Sequence, residues 1–184
     1  MGAGTTVSIL PCGAMTADLT WLLLAPGRAI RNRQNKHLPA EWVDVPTHCV
    51  LVDTPDGKLL WDTSCPRDWE TRWAPTGLQD FFPYEKVSDE EYLDSRLKQI
   101  GVAPGDIDYV VLSHLHFDHA GNVQSFKETN ARLVCSAKEK EWAFGFDGPF
   151  KLRGVATEAN ATMVFGHDPD QIKELRTAPE GSYR

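Results

Sequence analysis

The sequence is short of the features that mark disulfide-built, membrane-spanning or nucleic-acid-binding chains. Its 184 residues hold only four cysteines, Cys12, Cys49, Cys65 and Cys135, widely scattered and without a C-x-x-C pair. That argues against a disulfide framework and predicts reduced thiols. No apolar run approaches the length that crosses a bilayer. Met1-Gly2-Ala3-Gly4 leads straight into strand-like sequence without signal-like basic and apolar regions, so a cytoplasmic location is expected. An excess of positive charge is missing too: the formal net charge is −7, which argues against a nucleic-acid partner. The one basic run, Arg28 to His37 (Arg28, Arg31, Arg33, Lys36), is broken by Asn and Gln. It reads as a solvated loop ahead of an anion or partner site.

What is present is enough for one domain over 1–184. At 41% hydrophobic and 24% charged, with no composition shift along the chain, the sequence supports a single real core.

The chain is organised around Val110 to Asn122, Val-Val-Leu-Ser-His-Leu-His-Phe-Asp-His-Ala-Gly-Asn. Tyr109 to Leu112 has the length and β-branched content of a buried strand, and it ends in Ser113 and the cluster His114, His116, Asp118, His119. In extended chain His114 and His116 put both imidazoles on one side, and Asp118 and His119 follow where the chain turns. Imidazoles and a carboxylate crowded in this way suit zinc and related divalent ions, and left unliganded they would be costly to desolvate. Gly121 permits close backbone approach.

His114-x-His116-x-Asp118-His119 resembles the signature of the metallo-β-lactamase superfamily, and Ser-His-Leu-His-Phe-Asp-His-Ala-Gly resembles its N-acyl-homoserine lactonase branch. The resemblance implies an α/β (α+β) fold, the αββα sandwich, in which two sheets pack together under outer helices. It also implies a zinc-dependent hydrolase that opens lactone rings, a quorum-quenching activity.

In order along the chain, Thr6 to Leu10 reads as a strand, Pro11-Cys12-Gly13 as a turn and Trp21 to Leu24 as a second apolar run. Pro46 to Asp62 is the clearest hairpin, with Thr54-Pro55-Asp56-Gly57 as its turn. Trp61-Asp62-Thr63-Ser64 resembles the family's Asp-Thr-Gly strand end with serine replacing glycine. That makes Asp62 a residue that orients the metal ligands by hydrogen bonds, against a plain strand-end cap. From Pro66 to Tyr84 the sequence reads as loop, and its aromatics (Trp69, Trp73, Phe81, Phe82, Tyr84) either wall an apolar substrate pocket or anchor the loop. Ser88 to Gly101 reads as a helix with a Ser88/Glu91 capping box and an apolar face of Leu93, Leu97 and Ile100. Arg132 to Cys135 reads as a strand, and Ser136 with Glu139 caps a helix to about Phe144.

Beyond this point the chain departs from the family. The Gly-His strand end and the later metal-bridging aspartate are both lacking, and His167 is the only histidine after His119. Ala161 to Asp168 resembles the last metal strand, Asp168-Pro169-Asp170-Gln171 the cap of a terminal helix, and Lys151 to Asn160 the helix before that strand. An internal deletion near Phe150-Lys151 is therefore inferred, with 1–150 as the first half and 151–184 as the terminal helix, last metal strand and C-terminal helix. The sandwich is then incomplete in its second half.

By the resemblance, His114, His116 and the missing histidine hold one zinc, and Asp118, His119 and His167 the other. Two zinc ions are the family set, and one ion or weak binding is expected here. Asp118 doubles as the acid that protonates the leaving alkoxide, and Phe117 packs on the acyl part of the substrate or anchors the metal loop. Asp147, Asp168 and Asp170 sit where turn and cap chemistry already explains them. The expected partner is a small lactone or ester, with no nucleic acid or membrane, and the uncovered strands invite a homo-oligomer. Two other readings stand beside this one. One is a catalytically inactive remnant that binds metal or a partner, and the other a hydrolase of a β-lactam, thioester, phosphodiester or other ester.

Overall fold

Pro55 and Asp56 reverse the chain between two apolar runs, and the sheet grows from that hairpin. The computed structural model describes residues 4–22, 37, 39–144 and 164–165. Strands β1 (Thr6–Asp18), β2 (Trp42–Thr54), β3 (Gly57–Trp61), β4 (Tyr109–Val111), β5 (Arg132–Cys135) and β6 (Val164–Phe165) form one mixed sheet in sequence order. The β1–β2 and β2–β3 pairs are antiparallel, and β3–β4, β4–β5 and β5–β6 are parallel. Parallel neighbours need crossovers. Between β3 and β4 run the helices α1 (Trp69–Trp73), α2 (Leu78–Phe81) and α3 (Leu93–Gln99), and between β5 and β6 runs α4 (Ala137–Phe144).

Side chains alternate across the pleat. One face of the sheet carries Cys49, Leu51, Leu60, Val110, Leu133 and Cys135, all buried in a core shared with Leu93 and Leu97 of α3 and Ala143 of α4. A second cluster, Met15, Cys65, Trp69, Trp73, Leu78 and Tyr84, closes over the start of the crossover. All four cysteines are free and buried. Among the described residues no helix is long and apolar enough to cross a membrane.

Three local expectations are corrected. Pro11-Cys12-Gly13 is no turn: β1 continues to Asp18 through a register shift between Pro11 and Ala14. Proline is tolerated because β1 is an edge strand, and Gly13 absorbs the irregularity at φ +76°. A Cβ at Gly13 would lie 2.7 Å from the Lys86 carbonyl oxygen and 2.8 Å from the Val87 Cβ. Gly13→Ala is therefore expected to lower stability by about 1–3 kcal/mol, read as a shift of the denaturant midpoint at unchanged m-value.

The helix expected over Ser88–Gly101 begins only at Leu93. Ser88 and Glu91 do bond each other, Ser88 N–H donating to Glu91 Oε2 at 2.9 Å, but this pair closes a turn. Arg67 holds that turn by donating to Asp89, Asp94 and Ser95. Leu93 and Leu97 are buried as expected, whereas Ile100 is 42% exposed. Finally, Pro66–Tyr84 contains α1 and α2, helices of five and four residues, too short to show a period. Residues 28–36 of the basic run, Asp147, the Phe150-Lys151 junction, the helix expected over 151–160, His167, Asp168 and Asp170 lie outside the described residues.

Candidate metal centre

β4 delivers the histidine loop to the C-terminal edge of the sheet. Because β4, β5 and β6 run parallel, β6 ends at that same edge with Phe165. The loop from Ser113 to Asn122 is laced to the strand end at Asp62–Cys65. Thr63 N–H and Thr63 Oγ1 both donate to the His119 carbonyl, at 2.7 and 2.9 Å. In return Asn122 Nδ2 donates to the carbonyls of Thr63 and Cys65, at 2.7 and 2.8 Å. Within the loop, the His116 carbonyl accepts from the N–H groups of His119 and Ala120, which curls Asp118 and His119 back over the strand end.

These contacts gather the sequence-predicted residues. The His114 ring centroid lies 4.6 Å from that of His116 and 3.9 Å from that of His119. Buried Asp62 accepts three hydrogen bonds: from Ser113 N–H at 2.7 Å, from Ser113 Oγ–H at 2.8 Å and from His119 Nδ1–H at 2.8 Å. Since the Ser113 hydroxyl proton goes to a carboxylate that can only accept, the 3.0 Å contact between Ser113 Oγ and His114 Nδ1 has the imidazole donating. This assignment leaves His114 Nε2 with a free lone pair, the atom a metal would take. His119 Nε2–H points to Asp118 Oδ2 at 3.2 Å.

Charge follows from these contacts. Burial pulls the His119 pKa down, but the carboxylates of Asp118 and Asp62 outweigh it and lift it to about 9. Burial also works against an ionised Asp118, yet the bond and charge of His119 hold its carboxyl below the usual range. His114 is lowered, first by burial and then by the neighbouring imidazoles. Without a metal the cluster thus holds one imidazolium between two carboxylates, with a neutral imidazole beside it.

The donor chemistry suits a divalent ion: imidazole nitrogens and a carboxylate, backed by a buried aspartate that fixes one ring. The present geometry fits only in part. Asp118 and His119 face each other, and among the described residues no three His, Cys, Asp or Glu side chains stand where they could hold one ion.

Phe117 projects from the loop into aromatics, 4.8 Å from Trp73 and 5.4 Å from Phe82 between ring centroids. Trp69, Trp73 and Tyr84 are buried and anchor the crossover, while Phe81 is exposed and Trp21 packs edge-on against Phe81 and Phe82. Two residues of α4 reach the site: Glu139, expected only as a helix cap, and Trp142, which had no place in the sequence reading. Glu139 of α4 accepts from Leu115 N–H at 3.4 Å, and Trp142 lies 6.0 Å from the His116 ring. Thr63 and Asn122 stood inside the quoted motifs, but their pairing across 59 positions leaves no local signal.

A mixed sheet whose central parallel strand ends in a histidine and aspartate loop defines an α/β protein with its site at the carboxyl edge of the sheet. A family model described as the Metallo-beta-lactamase superfamily matches residues 42–178, and the chain belongs to that superfamily. It is 35% identical over 143 residues to the N-acyl homoserine lactonase AiiB of Agrobacterium fabrum (strain C58 / ATCC 33970), a match covering 76% of this chain and 49% of that protein. The likeness to the lactonase branch seen in the motif is therefore supported along the chain. The chain spans about half the length of the curated relatives it matches.

Among solved structures, a mutant B. thuringiensis AiiA with N-decanoyl-L-homoserine bound at its active site superposes with a TM-score of 0.63 at 23% identity, covering 92% of this chain and 64% of that one. AidC, a dizinc quorum-quenching lactonase in complex with a product, gives 0.55 at 20% identity, covering 90% and 59%. At these identities the likeness establishes the metallo-β-lactamase fold.

Proposed function

We propose that the chain is one metallo-β-lactamase-type domain that opens lactone rings of the N-acyl-homoserine lactone kind with the help of bound zinc. The observation that carries this reading is the Asp62–Ser113–His119–Asp118 chain of hydrogen bonds, which fixes the ring of one proposed ligand and leaves the lone pair of another, His114, free. His114 and His116 would serve one ion, and Asp118, His119 and His167 a second. When bound, zinc supplies Lewis acidity and brings water to attack near neutral pH.

The chain's own residues do the rest. Asp118, ionised and beside the reacting centre, takes a proton from the attacking water and returns it to the leaving alkoxide oxygen. Asp62 holds the imidazole of His119, and Phe117 with Phe82 offers an apolar surface to an acyl chain. The deciding experiment measures zinc per chain and ring opening of an N-acyl-homoserine lactone before and after chelation. Turnover that disappears with the metal supports the proposal; fewer than one metal per chain with no turnover overturns it.

A pH dependence follows. His119 must give up its proton to ligate, so zinc affinity should rise with pH up to about 9. Each unit below that costs about tenfold for the ion that His119 would hold, and calorimetry at neutral pH in two buffers of different protonation enthalpy should read about one proton released when that ion binds. A pH-independent affinity would contradict it.

A second reading, a remnant that no longer hydrolyses, is favoured by one observation: the only histidine after His119 is His167, 48 positions on, which leaves His114 and His116 without a third histidine. Robust metal-dependent turnover would remove it.

A further inference from the structure

β4 and β5 are parallel neighbours with Val111 level with Val134, and Leu112 N–H donates to the Val134 carbonyl at 2.8 Å. The histidine loop that leaves β4 and the helix that follows β5 therefore emerge side by side at the carboxyl edge of the sheet. Ala143 of α4 is buried in the same core cluster as Leu115, the residue between His114 and His116.

Two side chains of α4, three positions apart and so on one face of the helix, turn to that loop. Glu139 Oε2 accepts from Leu115 N–H at 3.4 Å. The Trp142 indole stands T-shaped to the His116 ring, 6.0 Å between centroids and 73° between planes. Place in the helix alone does not explain Glu139. A glutamate in a first turn commonly bonds back to the N–H of its own cap, and its charge suits the helix dipole. Ser136 does cap α4, its hydroxyl accepting from Lys138 N–H at 3.3 Å, yet the Glu139 carboxylate reaches a residue 24 positions earlier in the chain.

We infer that Glu139 and Trp142 are positioning residues of the metal centre. Glu139 pins the main chain between His114 and His116, and Trp142 limits the rotation of the His116 imidazole, so that α4 sets the spacing of this pair. The inference rests on the proposed role of the two histidines as ligands. Asp62 and Ser113 already hold the rings of His119 and His114 from the strand ends. With no third histidine beside them, the affinity of His114 and His116 for an ion depends the more on their being fixed beforehand.

Hydrogen exchange of the metal-free full chain, and zinc titration of the same variants, test it. Glu139→Ala is expected to speed exchange of the Leu115 amide at least about tenfold, while the Ser113 and Thr63 amides, bonded to Asp62 and His119, keep their wild-type rates. Glu139→Gln retains a carbonyl oxygen for the same N–H and should restore the protection. A glutamate that served only the helix end through its charge would leave glutamine as poor as alanine. Zinc affinity should fall about tenfold in Glu139→Ala and in Trp142→Ala, and return in Glu139→Gln and Trp142→Phe. Unchanged Leu115 exchange, glutamine no better than alanine, or a zinc affinity indifferent to both alanine variants overturns the inference. Faster exchange at all three amides together overturns it as well, since Glu139 would then support the fold as a whole. A wild type that takes up no zinc overturns the ligand reading itself; it is told apart from failure of the brace by the Leu115 exchange, which needs no metal.

Discussion

Asp62→Ala is expected to cost the fold about 3–5 kcal/mol and to loosen the histidine loop as a unit. Asp62 is 5% exposed and accepts from two donors of Ser113 and one of His119. Alanine leaves all three donors without their acceptor, and it strands an imidazolium that Asp118 alone must then balance. The backbone adds a smaller effect of the same sign, since Asp62 sits at φ +59°, a region aspartate tolerates better than alanine. Denaturant unfolding of the metal-free chain reads the loss, and Asp62→Asn separates charge from shape. It keeps the acceptor for Ser113 N–H but removes the charge that helps to raise the His119 pKa, so its titration should move to lower pH.

The pH profile of this stability has a definite sign. A histidine whose folded pKa is raised contributes stabilisation that is complete below its unfolded value and is lost as pH climbs through the folded one. For His119 the window runs from 6.5 to about 9. Metal-free wild type should therefore weaken across that range, and Asp62→Ala should lose much of the slope. Zinc binding by the proposed ligands is expected to fall about 10–100-fold in the same variant, because the ring it orients would be free to turn.

How much of this could be read from the sequence depends on how far apart the cooperating residues are. The Pro55-Asp56 hairpin and the strand before His114 were legible because a turn and a short β-branched run are specified by adjacent residues. The cluster His114, His116, Asp118, His119 was legible because its members are packed into six positions. Asp62 could be suggested only by likeness to a motif, since its partners Ser113 and His119 lie 51 and 57 positions away.

The misread elements fail for the same reason. Whether Pro11 ends β1 or is carried through it depends on its lying at the sheet edge, and whether Ser88 starts a helix depends on what Arg67 grips, neither of which is a local property. Ser64 shows the converse. It sits at φ +55°, and its hydroxyl donates to Thr47 Oγ1 at 3.1 Å, a contact between residues 17 positions apart that helps to hold serine in a conformation glycine adopts freely.

Gly121→Ala is expected to lower stability by about 3 kcal/mol and to displace the metal loop from the strand end. The reason is space, not conformational freedom. A Cβ here would lie 2.6 Å from the Phe117 carbonyl oxygen, 2.7 Å from Pro66 Cδ and against the Ser64 carbonyl oxygen. Two of the three are backbone atoms on the two segments that Thr63 and Asn122 tie together, so no side chain can swing aside to make room. Either the Asp62–Cys65 strand end or the Phe117–Asn122 arc must shift, and both carry parts of the site. Asn122 would draw away from the Thr63 and Cys65 carbonyls, and the carbonyl of Gly121, which accepts from Arg72 at 3.0 Å, would lose its tether to the crossover. The variant should therefore show a lower unfolding midpoint together with weaker zinc uptake. A Gly121→Ala chain that matched wild type in both would mean that the loop and the strand end are not packed this closely, and the case for a prepared ligand cluster would fall with it.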